Sequence, residues 1–312
     1  MKMNTIKNLI KRFGRDWREF SLPVAVGRVV LDCPIGKWEK RQHFYENRVY
    51  NYLKKRYGKT LKCEIANHAG NGARAKKRIW VMWWQGVEGM PPIVQACYRQ
   101  LLKVKKDWEV VLITKENWAE YVSFPEYVIN KVENGTISLT HFSDLIRVAL
   151  LSKYGGAWFD ATIYAFDLPK ELERDEFFTL HAPGMFPQFL SRGEWIPFLL
   201  YCPYENMGLP EFMKKVFMEY WNEHSKLIDY LFVDYVIKMV SEEDEETKKA
   251  ITKCPINHHY YDLNLAINDK YEGELFKRIG ENSCLQKLTY KKEFAEKCVD
   301  GEKTFYGWIK EK

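Results

Sequence analysis

No stretch of the 312 residues approaches the roughly 18 consecutive apolar side chains of a membrane-spanning helix, so an integral helical membrane protein is excluded. Residues 1–20 carry a charge every few positions and lack the unbroken apolar core of a signal peptide. Cysteine is sparse. The seven, at 33, 63, 97, 202, 254, 284 and 298, are odd in number, scattered, and never arranged as CxxC. That argues against a disulfide framework or a zinc site, and a reducing cytoplasm is the expected setting. There is no internal repeat. Aromatics, in contrast, are plentiful, with 11 Trp, 19 Tyr and 18 Phe. They suit flat surfaces inside a core and also sites that stack on sugars or bases. Apolar residues at 46% and charged ones at 29% exclude a disordered or fibrous chain. The length fits one large α/β domain, alone or with a subdomain.

Charge is unevenly spread. Residues 1–78 carry 20 Lys and Arg against 6 Asp and Glu, while the whole chain carries 48 against 42. A basic front of +14 therefore precedes an acidic body of −8. Such a front suggests an anionic partner, either membrane surface or nucleic acid, or else a solvated helical surface.

Residues 1–20 read as an amphipathic basic helix, with Ile6, Leu9, Ile10 and Phe13 on one side and a break at Gly14. Residues 37–57 read as a second helix that Gly58 stops. The glycine-rich segment 66–77 reads as a linker, giving a basic helical region over 1–77 and a main domain over 78–312. From Arg78 the period changes. Residues 79–84 and 108–113 are short apolar runs on either side of a helix near 93–104, a βαβ unit and so a parallel sheet. Helices follow near 115–121, 125–133 and 140–154, and then a strand at 157–166. Further strands are expected at 176–181 and 195–202, helices at 209–222 and 225–240, and a solvated helix end at 241–249.

The most informative window runs from His141 to Thr162. Phe142, Leu145, Ile146, Ala149 and Leu150 form the buried stripe of a helix. Asp144 and Arg147, three apart, reach out on one side of it. Gly155 and Gly156 end the helix and turn the chain sharply. A period of two then puts Trp158, Asp160 and Thr162 on one strand face. Singly, each feature has an ordinary structural explanation: a surface ion pair, a turn, a cap. Together, a carboxylate and a hydroxyl beside an Asp and an Arg suit a hard cation and a diphosphate bound to it. Ligands of open α/β sheets gather beyond the carboxyl ends of the strands, where Trp84, Ile113 and Asp160 fall.

Asp144-x-x-Arg147, then Tyr154-Gly155-Gly156, then Trp158 two before Asp160 resembles the bacterial capsular polysaccharide synthesis proteins. These are relatives of the DXD-motif sugar transferases, which include yeast mannosyltransferases and clostridial glucosylating toxins. The similarity runs from about Ile79 to Tyr290. It includes Trp84-Gln85-Gly86, Ile113-Thr114 with Asn117, Trp195, Asp229-Tyr230, Asp234-Tyr235 and Lys287-Leu288-Thr289-Tyr290. The resemblance implies a GT-A (Rossmann-like) nucleotide-sugar-binding domain, here with a helical N-terminal extension and helical insertions. It implies transfer of a hexose from a UDP- or GDP-sugar, with Mn²⁺ or Mg²⁺ and retention of anomeric configuration. It implies catalytic roles for Asp144, Arg147 and Asp160. The donor would meet Trp84 or Gln85 at its base, Asp144 and Arg147 at its sugar and phosphate, Trp158 at the nucleotide or ribose, and Gly155-Gly156 at the turn.

One departure stands out: the wider group has Asp-x-Asp, and this chain has Asp160-Ala161-Thr162. Asp160 would be the main metal ligand, with weaker help from Thr162 and from His258 in Asn257-His-His-Tyr-Tyr-Asp262. Glu194 and Trp195, with His181, are candidates for the acceptor groove. The expected acceptor is a glycan, in the lipid-linked form that places the protein at the inner face of the membrane, in agreement with its basic front. Competing readings are a non-catalytic sugar-nucleotide or glycan-binding protein and a toxin-like transferase directed at proteins. Nucleic acid is not an expected partner, because residues 1–78 offer charge without a known motif.

Overall fold

The computed structural model describes residues 3–312, with side chains from residue 8 onward. Three helices come first: α1 (Met3–Glu19), α2 (Leu22–Asp32) and α3 (Trp38–Ala66). A loop over 67–77 leads into β1 (Arg78–Met82), α4 (Pro92–Val104) and β2 (Glu109–Ile113). These last three are the expected βαβ unit, its strands parallel with Ile79 beside Val110 and Val81 beside Leu112. The short α5 (Trp118–Tyr121) and α6 (Glu126–Glu133) precede α7 (Leu139–Tyr154). Then follow β3 (Gly156–Phe159), β4 (Ile163–Ala165), β5 (Phe178–Thr179) and β6 (Leu199–Cys202). Helices α8 (Gly208–Glu223), α9 (Phe232–Glu243), α10 (Glu245–Thr252), α11 (Asp262–Leu265) and α12 (Gly273–Asn282) come next. The chain closes with β7 (Leu285–Lys287) and α13 (Phe305–Glu311).

The main sheet has the order β2-β1-β3-β6-β5, and β6 runs against both of its neighbours. A second, two-stranded sheet pairs β4 with β7 antiparallel. This is a mixed α/β fold around a mostly parallel sheet. Its strands are apolar on both faces because both are covered. Trp80, Trp158, Leu200 and Cys202 pack into a core with α3, α7, α8 and α9. Ile79, Val81, Ala157, Phe159, Leu199 and Tyr201 pack on the other side, with Leu101 of α4.

The N-terminal helices share the first of these cores. Val49, Leu53, Tyr57 and Leu61 of α3 bury themselves beside Tyr220, Trp221 and Val236. Opposite charges follow the same contact. Lys54 pairs with Glu242 at 2.9 Å, Arg56 with Glu223 at 2.8 Å and Lys62 with Glu243 at 3.3 Å. At the end of the loop Lys77 meets Asp107 and Glu173, and at the start of β1 Arg78 meets Glu109. Part of the basic front is therefore matched to the acidic body within the molecule.

Several expectations need correction. Gly14 does not break α1, and α3 runs through Gly58 to Ala66, because its buried apolar face continues past the glycine to Leu61. Helix α2, capped by the Ser21 hydroxyl, has no counterpart in the sequence reading. The expected strand at 157–166 is two strands in different sheets, parted by a turn at Ala161-Thr162 in which Ile163 N–H donates to the Asp160 carbonyl. The strand at 176–181 is only Phe178–Thr179, that at 195–202 starts at Leu199, and the helix at 225–240 starts at Phe232.

Candidate active site

Helix α7 sets the site. The Ser138 hydroxyl caps its start by accepting the His141 N–H, and Gly155 ends it at φ +60°. Gly156 follows at φ +86°, so the chain reverses straight into β3. A Cβ on Gly155 would lie 2.8 Å from the Cys202 and Tyr204 carbonyl oxygens, and one on Gly156 would lie 2.6 Å from that of Arg78. Both glycines are buried against protein backbone. Their expected contact with a donor is corrected to a packing role that aims β3.

At the end of β3 the structure brings together Asp144, Arg147 and Asp160. Arg147 Nη2 lies 3.2 Å from Asp144 Oδ1 and 3.3 Å from Asp160 Oδ1. Its Nη1 donates to the Pro197 carbonyl at 2.8 Å. Behind Asp144, the Trp221 indole N–H donates to His141 Nε2 at 3.0 Å. His141 Nδ1 therefore carries the ring proton and donates to Asp144 Oδ2 at 3.2 Å. This hydrogen-bonded relay fixes the Asp144 rotamer from inside the core.

Trp158 is 2% exposed and lies in the first core, so its expected place against a nucleotide is corrected. Its indole N–H donates to Asp160 Oδ1 at 3.0 Å, and the Arg147 guanidinium sits 5.0 Å from its ring centroid. It serves as a platform beneath both charged groups. Asp160 itself is 28% exposed and Asp144 13%, while Arg147 is 6% exposed.

A fourth charge arrives from β7. Lys287 Nζ donates to Asp160 Oδ2 at 2.8 Å. Burial alone would raise the Asp160 carboxyl, but the Lys287 ammonium and then the Arg147 guanidinium outweigh it and hold the group below the usual carboxylate range. Nearby, Trp195 is buried and its indole N–H donates to Asp234 Oδ1 at 2.9 Å. Its expected position in an acceptor groove is corrected accordingly. Asp234 is pushed up to about 7, first by burial and then by the Asp144 charge, against the pull of the Trp195 hydrogen bond.

The remaining candidates lie as follows. Trp84 is half-buried, edge-on to Phe142, and Gln85 is exposed beside it, just past the end of β1. Glu194 is half-exposed and pairs with the buried His181 at 3.2 Å. Asn117 closes its own loop, accepting from Thr114 N and donating to the Leu112 carbonyl. His258 reaches the Pro183 carbonyl at 3.2 Å. A cleft of about 370 Å³ lined by Tyr271, Lys297, Gly301, Glu302, Lys303 and Trp308 shares no residue with this site.

The expected divalent cation does not fit this arrangement. Asp160 Oδ1 already accepts from Trp158 and Arg147, and Oδ2 from Lys287. Thr162 is buried in the turn, and His258 is hydrogen-bonded elsewhere. Among the described residues no three His, Cys, Asp or Glu side chains gather as a metal would need. Lys287, His141, Trp221 and the Trp195–Asp234 pair are site components to which the sequence reading assigned no such part.

Charged side chains thus gather beyond the carboxyl end of a mostly parallel sheet, the place where open α/β sheets hold their ligands. The family model described as capsular polysaccharide synthesis protein matches residues 34–309, and the chain belongs to that family. It is 34% identical over 99 residues to "O-glycosyltransferase braB" of Annulohypoxylon truncatum. That match covers 29% of this chain and 24% of the relative, so the chain spans about a quarter of that relative's length. Among solved structures, "PaToxG Glycosyltransferase" aligns over 76% of this chain and 98% of its own, at 9% identity and a TM-score of 0.31.

Proposed function

We propose that the chain is a glycosyltransferase of GT-A type that moves a hexose from a UDP- or GDP-sugar onto a capsular or other surface polysaccharide intermediate, with retention at the anomeric carbon. The observation that carries the reading is the meeting of Asp144, Arg147 and Asp160 beyond the end of β3, where each carboxylate lies within 3.3 Å of the Arg147 guanidinium. Membership of the capsular polysaccharide synthesis family and the similarity to an O-glycosyltransferase agree with it.

In this reaction the bond from the anomeric carbon to the diphosphate oxygen breaks, and its electron pair stays on the diphosphate. The acceptor hydroxyl oxygen bonds to the anomeric carbon, and its proton passes to the departing phosphate oxygen. Neutralising the charge that grows on the diphosphate is the dominant need. Arg147, fixed by the Pro197 carbonyl and the Trp158 ring, is preorganised for it. Asp144, held by His141, positions sugar hydroxyls. Trp84 and Gln85 form the wall nearest the base, and Glu194 faces the acceptor.

The reading also includes peripheral contact with anionic lipid at the inner membrane face. Ile10 and Trp17 are exposed on α1, with the basic row Lys11, Arg15 and Arg18 beside them.

Hydrolysis of a panel of UDP- and GDP-hexoses tests the enzyme. One donor is expected to turn over slowly, and Asp160→Asn to lower that rate at least about a hundredfold, near 2.7 kcal/mol of transition-state stabilisation. A folded Asp160→Asn with unchanged hydrolysis refutes the site, and binding of a donor without turnover identifies a sugar-nucleotide-binding protein instead.

A further inference from the structure

Lys287 reaches Asp160 from a strand 127 residues further along the chain. Its ammonium also lies 4.6 Å from the Phe198 ring centroid, which steadies it from the other side. The side chain is 16% exposed, more open to solvent than Arg147 at 6%. An ammonium has three N–H donors, and Asp160 is its one hydrogen-bond acceptor among the described residues. Arg147 Nε is likewise buried without an acceptor among them. Asp160 thus holds an ammonium with donors to spare beside a guanidinium whose Nη atoms are already engaged.

Resting on the donor-binding reading above, we infer that Lys287 and Arg147 form the diphosphate-binding site of this protein and supply the positive charge that a divalent cation would otherwise bring. The position of the second motif carboxylate is the buried, neutral Thr162, and both oxygens of Asp160 are engaged by nitrogen donors. A compact ammonium with free donors is a recurrent phosphate ligand, and a planar guanidinium matches the same oxygens. Asp160 is in this account a positioning residue for the two cations.

Calorimetric titration of the full chain with UDP, GDP, ADP and dTDP, in EDTA and again in Mn²⁺ or Mg²⁺, tests the inference. Wild-type protein is expected to bind at least one nucleotide in EDTA, with Kd changing less than about threefold on adding metal. Lys287→Ala is expected to weaken that binding in EDTA at least tenfold, and Lys287→Arg to keep most of it. Thermal unfolding of each variant establishes that it is folded. If Lys287→Ala does not fold, Lys287→Gln replaces it, and the wild-type comparison decides by itself. Binding by the wild type only when metal is present overturns the inference and leaves the transferase reading standing. So does unchanged affinity of folded Lys287→Ala in EDTA. No binding of any of the four nucleotides under either condition overturns the donor site itself, and the inference with it.

Discussion

Replacing Trp158 with alanine removes an indole that is 2% exposed and packed in the larger core. A side chain of this kind buries roughly 150–250 Å², which corresponds to about 4–6 kcal/mol as an upper limit. Alanine keeps a little of that contact, and the surroundings close part of the hole, so truncation of a core Trp costs about 3–5 kcal/mol. The lost indole hydrogen bond to Asp160 adds about 1 kcal/mol. For a chain of this length the midpoint of thermal unfolding falls by roughly 2 °C per kcal/mol, giving a drop of about 8–12 °C for the two losses together. Urea denaturation of wild type, Trp158→Ala and Trp158→Phe is the assay, because the slope shows whether the comparison is of like states. Trp158→Phe retains most of the buried area and is expected to lose about half as much stability. Its weaker hold on Asp160 and Arg147 should still lower nucleotide affinity. A Trp158→Ala protein within about 1 kcal/mol of wild type, with nucleotide binding lost, would show that the ring faces a ligand and would refute the platform argument.

Three further outcomes are expected. Asp234 ionises in the folded protein only near pH 7, whereas an unfolded aspartate ionises near 4, so its contribution is fully present below about pH 4 and is lost as pH rises through 7. Asp234→Asn should therefore gain on wild type by up to about 4 kcal/mol between pH 4 and 7, and a difference in urea stability that stays flat with pH contradicts this. Gly156→Ala forces a left-handed backbone and a 2.6 Å approach to the Arg78 carbonyl. It should cost at least about 2 kcal/mol, and a neutral effect on the unfolding midpoint would show that the turn relaxes freely. Sedimentation with anionic vesicles should weaken with salt and with Lys11, Arg15 and Arg18 changed to Gln, each basic residue contributing about 1 kcal/mol, while equal pelleting with neutral vesicles at low salt rules the contact out.

Much of this arrangement can be read from the sequence wherever it depends on local spacing. Asp144 and Arg147 share a helix side because they are three apart, and the Gly155-Gly156 turn follows from its glycines. The parallel βαβ unit follows from two short apolar runs around a helix. Trp158 shows the limit of that kind of reasoning. A period of two groups it with Asp160 but does not say which face of a doubly covered strand meets solvent, and here the face belongs to the core. Gly58 misleads for a related reason, since the packing of Tyr57 and Leu61 continues the helix through a residue that alone would end it. The Lys287–Asp160 pair and the Trp221–His141 hydrogen bond join residues far apart in the chain, and no spacing rule reaches across such separations.

The turn at Asp160 is also a seam. On one side β3 belongs to the five-stranded sheet, on the other β4 pairs with β7, and the Asp160–Lys287 ion pair spans the gap. A ribosome makes the acidic half of this clasp long before the basic half. At about 5–20 residues per second, the 127 residues between them take roughly 6–25 s to emerge. Throughout that interval β4 lacks its partner strand and Asp160 has only Arg147 to balance it. The nascent protein can therefore complete its large sheet early, yet it gains a finished charge constellation only when β7 slides in beside β4.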